Sequence, residues 1–394
     1  MLLVALVVVV AGAGAFVAVR LRRPDPPPAV VSVLQRTVGV PAHAVTLPWP
    51  VTGQGAIAIP AVGVAMASGP EQPVPVASLT KLMTAYVVLH DHPLAPNDSG
   101  PTIAVTQADV DDYNIDTVSD DANAQVVLGE QLTERQVLGG LLVHSADNYA
   151  DMIARWDAGS LPAFVVKMNA AAAHLGMSQS HFADASGVSA GSVSTATDIL
   201  KVAAPDMANP DFASMVKLTS VTLPVAGTIS TYTPLIGLQG VIGVKSGYTT
   251  AAGGCDVVGA VRNVHGRPVL LLAAVTGQTG LTVLAQAGLH GLALVNAAAP
   301  VIGSTQVLDG GQVVAHVSQA GRTVDAQAAA PAAVLTWPGV TAQRAFRPRQ
   351  RLTDQARRGS RVGTVEVTLG TQHVAVPVRL RRDAPRPSFF QRLF

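Results

Sequence analysis

One cysteine, Cys255, is all the thiol this 394-residue chain has. An intramolecular disulfide framework is therefore excluded, although the compartment stays open, since many exported domains carry no disulfide. Cys255 itself fits a small buried hydrophobe better than a reactive thiol. Zinc-type spacing is also missing, because the ten histidines are scattered and none joins a Cys/His cluster. No metal and no other cofactor is expected. Charge is sparse, at 13% against 49% hydrophobic residues, which excludes a disordered chain. The length suffices for two or three domains with a sizeable core. No internal repeat is found. The net charge of +1 hides an asymmetry: from residue 299 onward 13 Arg face 5 acidic residues, a local +8, while the remainder carries 13 basic and 20 acidic residues, a local −7. Such a basic C-terminal region suits an anionic surface such as lipid headgroups, or is a solvated Arg-rich face.

Residues 1–19, MLLVALVVVVAGAGAFVAV, hold no charge, and a membrane-spanning helix needs roughly 20 apolar residues. No basic stretch precedes the run and no A-x-A site clearly follows it. An uncleaved signal anchor is therefore expected, ahead of a cleaved signal peptide and of a buried helix. Arg20, Arg22 and Arg23 follow at once. Positive-inside logic would place them in the cytoplasm, so a basic stretch upstream of Met1 is expected if the rest of the chain lies outside.

Pro24 to Pro28 read as a stiff linker. GAIAI (55–59) and VGVAMAS (62–68) read as strands separated by Pro60. From Ser78 to His90 the pattern is helical, with Leu79, Leu82, Met83, Tyr86 and Val87 on one face. Further helical signals cover about 134–157, 160–175, 195–204 and 281–297. GVKSGYTT, GGCDVVGAVRN and RPVLLLAAVTG read as strands, the last two joined by a tight hairpin at Val264-His265-Gly266. Strands at both ends with helices between predict an α+β fold, an antiparallel sheet flanked by a helical subdomain. Beyond about residue 299, short alternating Gly-punctuated segments predict a small all-β domain, with GTQH as a hairpin turn. In the tail, Phe389, Phe390, Leu393 and Phe394 alternate with Arg386 and Arg392, as in an interfacial anchor or a loose end.

Three polar elements carry chemistry. Ser78-Leu79-Thr80-Lys81 is S-x-x-K at a helix start, Ser145 opens the polar patch SADN after LGGLLV, and Lys245-Ser246-Gly247 is K-S-G on a strand. Each alone is weak, and Ser78 with Lys81 would by itself fit an N-capping serine and a solvated lysine. Their order, the intervals of 67 and 100 residues and their settings make the set specific. Serine and lysine at i and i+3 share a helix face, so the amine reaches the hydroxyl. Serine needs a base to become a nucleophile, and lysine serves if a second cation and burial keep it neutral. Lys245 is that cation, and Ser145 would pass a proton between Lys81 and a leaving amine. Gly247, Gly253 and Gly254 leave room for a peptide along the strand edge. The N–H groups of Ser78 and Tyr248 would form an oxyanion hole. Lys245 and Ser246, supported by Thr249, would hold a terminal carboxylate. His144 adjoins Ser145 in the chain, which does not make it face the serine, so a Ser–His mechanism is disfavoured.

On ASLTKLMTA (77–85), LTERQVLGGLLVHSADNYAD (132–151), HFADASGVS (181–189) and GVKSGYTTAAGGC (243–255), the chain resembles the low-molecular-mass penicillin-binding proteins, the serine D-Ala-D-Ala carboxypeptidases of peptidase family S11. The resemblance spans about residues 50–298. It implies a beta-lactamase/transpeptidase-like fold and removal of the terminal D-alanine from peptidoglycan stem peptides through an acyl-enzyme on Ser78. It also implies beta-lactams as inhibitors and a cell-membrane location with the catalytic part extracytoplasmic, or secretion if the first segment is cleaved. No nucleic-acid partner is expected. The implied division is a signal anchor (1–19), a linker (20–45), the penicillin-binding domain (46–298), a small β domain (299–382) and a basic-aromatic tail (383–394). The expected catalytic residues are Ser78, Lys81 and Ser145; the expected substrate-binding residues are Asp147, Lys245, Ser246, Gly247 and Tyr248.

Two positions depart from the family pattern. Asp147 stands where Asn is usual; it can accept from Lys81 but cannot donate an amide N–H, and its charge works against a neutral lysine. Asn148 points about 100° away on a helix of ~3.6 residues per turn and is no substitute. Ser246 in place of Thr keeps the hydroxyl. A class A-like beta-lactamase would need a deacylating Glu, and no glutamate occurs from 135 to 365. A D,D-endopeptidase would share every motif. A catalytically impaired muropeptide-binding protein is the reading that Asp147 motivates.

Overall fold

The computed structural model describes residues 2–22, 27–95, 98–319, 321–349, 352, 356–385 and 388. Pro24 and Pro26 of the expected linker lie outside these residues, as do Arg23 and the tail residues Arg386, Phe389, Phe390, Arg392, Leu393 and Phe394. The chain divides into two compact units, one of residues Ala44–Ile302 and one that joins Met1–His43 to Gly303–Phe394.

The first unit is built on β1 (Gln54–Ile59), β2 (Val64–Ala67), β3 (Val241–Thr249), β4 (Gly253–Val264) and β5 (Arg267–Gln278). They form one antiparallel sheet in the order β3-β4-β5-β1-β2, so β3 is an edge strand. β4 and β5 are runs of Val, Ala and Leu buried on both faces, as befits strands covered by helices. His265 and Gly266 join them, both at positive φ (49° and 77°), which is the two-residue turn that matches strand twist.

The helices of this unit follow α1 (Leu2–Arg22) of the other unit along the chain. They are α2 (Thr80–Asp91), α3 (Gln107–Ser119), α4 (Glu134–Val143), α5 (Asp147–Ala158), α6 (Leu161–His174), α7 (Ala196–Ala208), α8 (Pro210–Val216) and α9 (Val283–Ala298). α9 packs on β4 and β5 through its small residues: a Cβ on Gly291 would lie 2.7 Å from Val258, and one on Gly288 would lie 2.9 Å from Asp256. α7 packs against β5 and β1. Leu82, Met83, Leu138, Leu141, Tyr149, Ile153, Phe164 and Phe182 knit the helical cluster, all essentially inaccessible. The helix expected over 134–157 is two helices. A capping box between Thr133 and Gln136 starts α4, and Ser145 at φ 64° breaks the chain before α5. α3 was not anticipated.

The second unit holds α1 and a seven-stranded antiparallel sheet. Its strands run, edge to edge, Ala29–Ser32, Val313–Gln319, Arg322–Ala328, Gln372–Leu380, Arg361–Leu369, Thr341–Pro348 and Thr37–Gly39. The segment read as a linker thus supplies both edge strands, with Val30 and Val38 packed against Val317, Val365 and their neighbours.

Candidate active site

Two backbone positions set up the site. Ala77 (φ 49°) and Ser145 (φ 64°) are non-glycine residues in the left-handed region, which residues with a Cβ rarely occupy unless their surroundings hold them there. Ala77 opens the 3₁₀ turn Ala77–Leu79, which places Ser78 two residues before α2 begins at Thr80. Ser78 is therefore not an N-cap making a side-chain bond to the helix; its Oγ accepts from Lys81 Nζ at 3.0 Å. Lys81 lies in the first turn of α2 and is 0% exposed. Its ammonium also donates to Asp147 Oδ1 at 2.5 Å and to the carbonyl of Ser186 at 2.8 Å. Lys245, in the middle of β3 and also 0% exposed, donates to Ser145 Oγ at 2.9 Å and to the Ser246 carbonyl at 2.8 Å. Two buried amines thus reach two hydroxyls, one pair from the helix side and one from the sheet.

Above them opens a cavity of about 660 Å³. Ser78, Ser145, Asp147, Ser246, Gly247 and Tyr248 line it, together with Thr249. Its far wall includes Asp120, Asp121, Tyr232 and Leu284. Gly247 brings β3 against the Ser78 turn: a Cβ there would lie 2.7 Å from Ser78 N and 3.1 Å from its Cβ. β3 offers the unpaired side of an edge strand, so a peptide can add to it. The Ser246 hydroxyl, on the cavity wall, donates to Tyr232 O at 3.1 Å.

A family model described as D-alanyl-D-alanine carboxypeptidase, peptidase S11, matches residues 56–276. The chain belongs to the S11 family. It is 34% identical over 202 residues to the D-alanyl-D-alanine carboxypeptidase of Streptomyces sp. (strain K15), an alignment covering 47% of this chain and 67% of that one. It is 29% identical over 209 residues to the D-alanyl-D-alanine endopeptidase of Escherichia coli, covering 50% of this chain and 62% of that one. Penicillin binding protein 5 from Haemophilus influenzae shares the fold, with TM-score 0.60 and 17% identity over 86% of this chain and 99% of that one. The chain is thus an S11 serine hydrolase with an α+β penicillin-binding fold.

Within this S11 site the electrostatics centre on burial. Lys245 is pulled down to about 7, first by desolvation and then by the neighbouring Lys81 charge. Burial pushes the Asp147 carboxyl up from the ordinary range, while Lys81 opposes the rise. Asp116 behind it is pushed up to about 7 by burial and by the Asp147 and Asp121 charges. Asp147 heads α5, where its charge also faces the helix N-terminus. Asn148 is turned away: it donates to the Ala124 carbonyl at 2.9 Å and accepts from the Ala124 N–H at 3.1 Å. His144 points its Nδ1 at Ser230 O, 2.7 Å away, and its ring lies tilted against Tyr232, with centroids 4.7 Å apart. Cys255 is buried, its thiol pushed up to about 12.

The Ser186 carbonyl was missed by sequence reasoning. It is aimed at Lys81 by a tight loop in which Asp184 Oδ2 accepts from Gly187 N (3.0 Å), Ser189 N (2.9 Å) and Ser186 Oγ (3.2 Å). The only signal for it was the D-A-S-G run inside HFADASGVS, whose small residues suit such a turn.

Proposed function

We propose that this S11 enzyme removes the terminal D-alanine from peptidoglycan stem peptides through an ester on Ser78. The carrying observation is the pair of amine–hydroxyl contacts, Lys81–Ser78 and Lys245–Ser145, beneath one cavity beside an edge strand. Ser78 Oγ attacks the carbonyl carbon of the penultimate residue, and its proton passes to the Lys81–Asp147 pair. The N–H groups of Ser78 and Tyr248 receive the oxyanion. Ser145 hands a proton, replenished from the buried lysines, to the departing amino group, so D-alanine leaves neutral at nitrogen. Water then cleaves the ester. Lys245, Ser246 and Thr249 hold the substrate's terminal carboxylate. Beta-lactams acylate the same oxygen.

We also assign α1 to the membrane. Its 21 residues make a helix roughly 30 Å long, the thickness of a bilayer's hydrocarbon core, and the S11 domain would lie outside the cytoplasm. The test of activity is release of D-alanine from a diacyl-D-Ala-D-Ala peptide, abolished by Ser78→Ala. Absence of release while Ser78 still takes up fluorescent penicillin would sink the carboxypeptidase reading. The relative named as an endopeptidase favours a second reading, cleavage of D-Ala cross-links, for which a cross-linked muropeptide dimer is the substrate to try. Failure to label Ser78 at all would leave a muropeptide-binding protein.

A further inference from the structure

The second unit contains a cavity of about 610 Å³ that no step above uses. It is walled by the strand Thr341–Pro348, its neighbour Arg361–Leu369 and the segment Ser32–Arg36. Three arginines, Arg36, Arg344 and Arg347, and one carboxylate, Glu366, are the charged residues that line it. Arg347 is spoken for, its Nε donating to Glu366 at 3.0 Å. Arg344 is only 7% exposed, and a guanidinium so buried ordinarily has a carboxylate beside it. Here its Nε donates to the Gln35 carbonyl at 3.0 Å and its Nη1 to the Val307 carbonyl at 2.8 Å. Those bonds orient it without neutralising it. Among the described residues no carboxylate lies within ion-pair distance of Arg344, and Nη2 has no hydrogen-bond partner. Arg36 is exposed and its side chain makes no bond among the described residues. Its carbonyl accepts the Arg344 N–H at 2.6 Å, which ties the two arginines to one wall.

Two guanidiniums with no carboxylate at ion-pair distance among the described residues line one cavity, one of them fixed by main-chain carbonyls and felt only at longer range by Asp309, and they match an anion with several charged oxygens. We propose that this cavity binds a phosphate group. Its volume exceeds that of a lone phosphate, so it accommodates the group to which the phosphate is esterified. An anionic lipid headgroup is a source within reach: ten residues separate Arg22, the end of α1, from Ser32 on the cavity wall, a span of at most about 35 Å. Soluble or polymer-borne phosphate is the other source of the same chemistry.

The full chain in neutral detergent micelles is titrated calorimetrically with dihexanoyl phosphatidylglycerol and, separately, with inorganic phosphate. Saturable binding of either probe is expected, weakened at least tenfold in Arg36→Ala and in Arg344→Gln. Arg322→Ala, which removes an exposed arginine of the same unit outside the cavity, should leave it unchanged. Arg36 makes no side-chain bond, so its variant keeps the test valid if Arg344→Gln fails to fold. Lipid binding that far outruns phosphate binding assigns the source to the membrane; equal binding assigns it to free or polymer phosphate. Saturation by neither probe, or an Arg322→Ala loss as large as that of Arg36→Ala, overturns the proposal.

Discussion

Asp147 is buried against Lys81 directly beside Ser78. An asparagine there would keep an acceptor for the Lys81 ammonium, remove the buried carboxylate and add an amide donor toward the cavity. Asp147→Asn is therefore expected to raise the rate of penicillin acylation at neutral pH by about tenfold, the scale of one hydrogen bond gained to the bound ligand. An unchanged rate, measured by stopped-flow, would remove Asp147 from the acylation step. Lys245 makes the complementary case, for stability. Its folded value of about 7 lies below the ordinary 10.5, so between those values the unfolded chain holds a proton that the folded chain lacks. Stability contributed by this site therefore rises with pH across that window, and the cost of the buried charge is greatest below pH 7. Lys245→Met should abolish acylation yet stabilise the fold more at pH 6 than at pH 9, by on the order of 2–3 kcal/mol. Urea titrations of both proteins at the two pH values measure that double difference, which cancels the other titrating groups; a difference of zero or opposite sign refutes it.

At the scale of elements, the site depends on how closely the β3 edge approaches the Ser78 turn. A methyl at position 247 meets the backbone nitrogen of Ser78 at 2.7 Å, closer than real contacts allow, so the turn or the strand must give. Gly247→Ala is expected to displace an oxyanion donor and slow acylation by about 10²–10³, with an unfolding midpoint below that of the parent because the clash is with backbone. A variant that acylates at the parental rate would place the oxyanion elsewhere. Much of this was readable in the sequence, because S-x-x-K and K-S-G are local spacings that fix which side chains share a face whatever the rest of the chain does. The breaks were not readable. LGGLLVHSADNYAD is continuously compatible with helix, and only tertiary contacts force Ser145 to φ 64°. α3 gave no stripe to detect, since Asp109 is the one residue on it that is buried; it is held by its Thr106–Asp109 capping box and by Arg155 reaching Asp109.

At the scale of the molecule, the two short strands at 29–39 escaped the sequence for a different reason. Each is three or four residues long, and their partners lie about 300 residues away, Val30 opposite Val317 and Val38 opposite Ala342. Nothing local distinguishes such segments from an extended linker. The consequence is that the S11 unit interrupts another unit in the chain, so a shortened protein beginning at residue 44 would keep the motifs but strip both edges from the seven-stranded sheet. Val30, Leu34 and Val38 would no longer cover its core, a loss on the order of 3 kcal/mol for partly buried aliphatic side chains. Trp337, 4% exposed, follows the strand Ala332–Thr336 in the same unit as that sheet, and the other two tryptophans, Trp49 and Trp156, belong to the S11 unit. In a Trp49→Phe, Trp156→Phe background, fluorescence of Trp337 reports that unit alone. Against a chain beginning at residue 27, the one beginning at 44 should show its Trp337 transition at clearly lower urea while Ser78 still labels with penicillin. Coincident transitions would mean that the edge strands add nothing to the sheet.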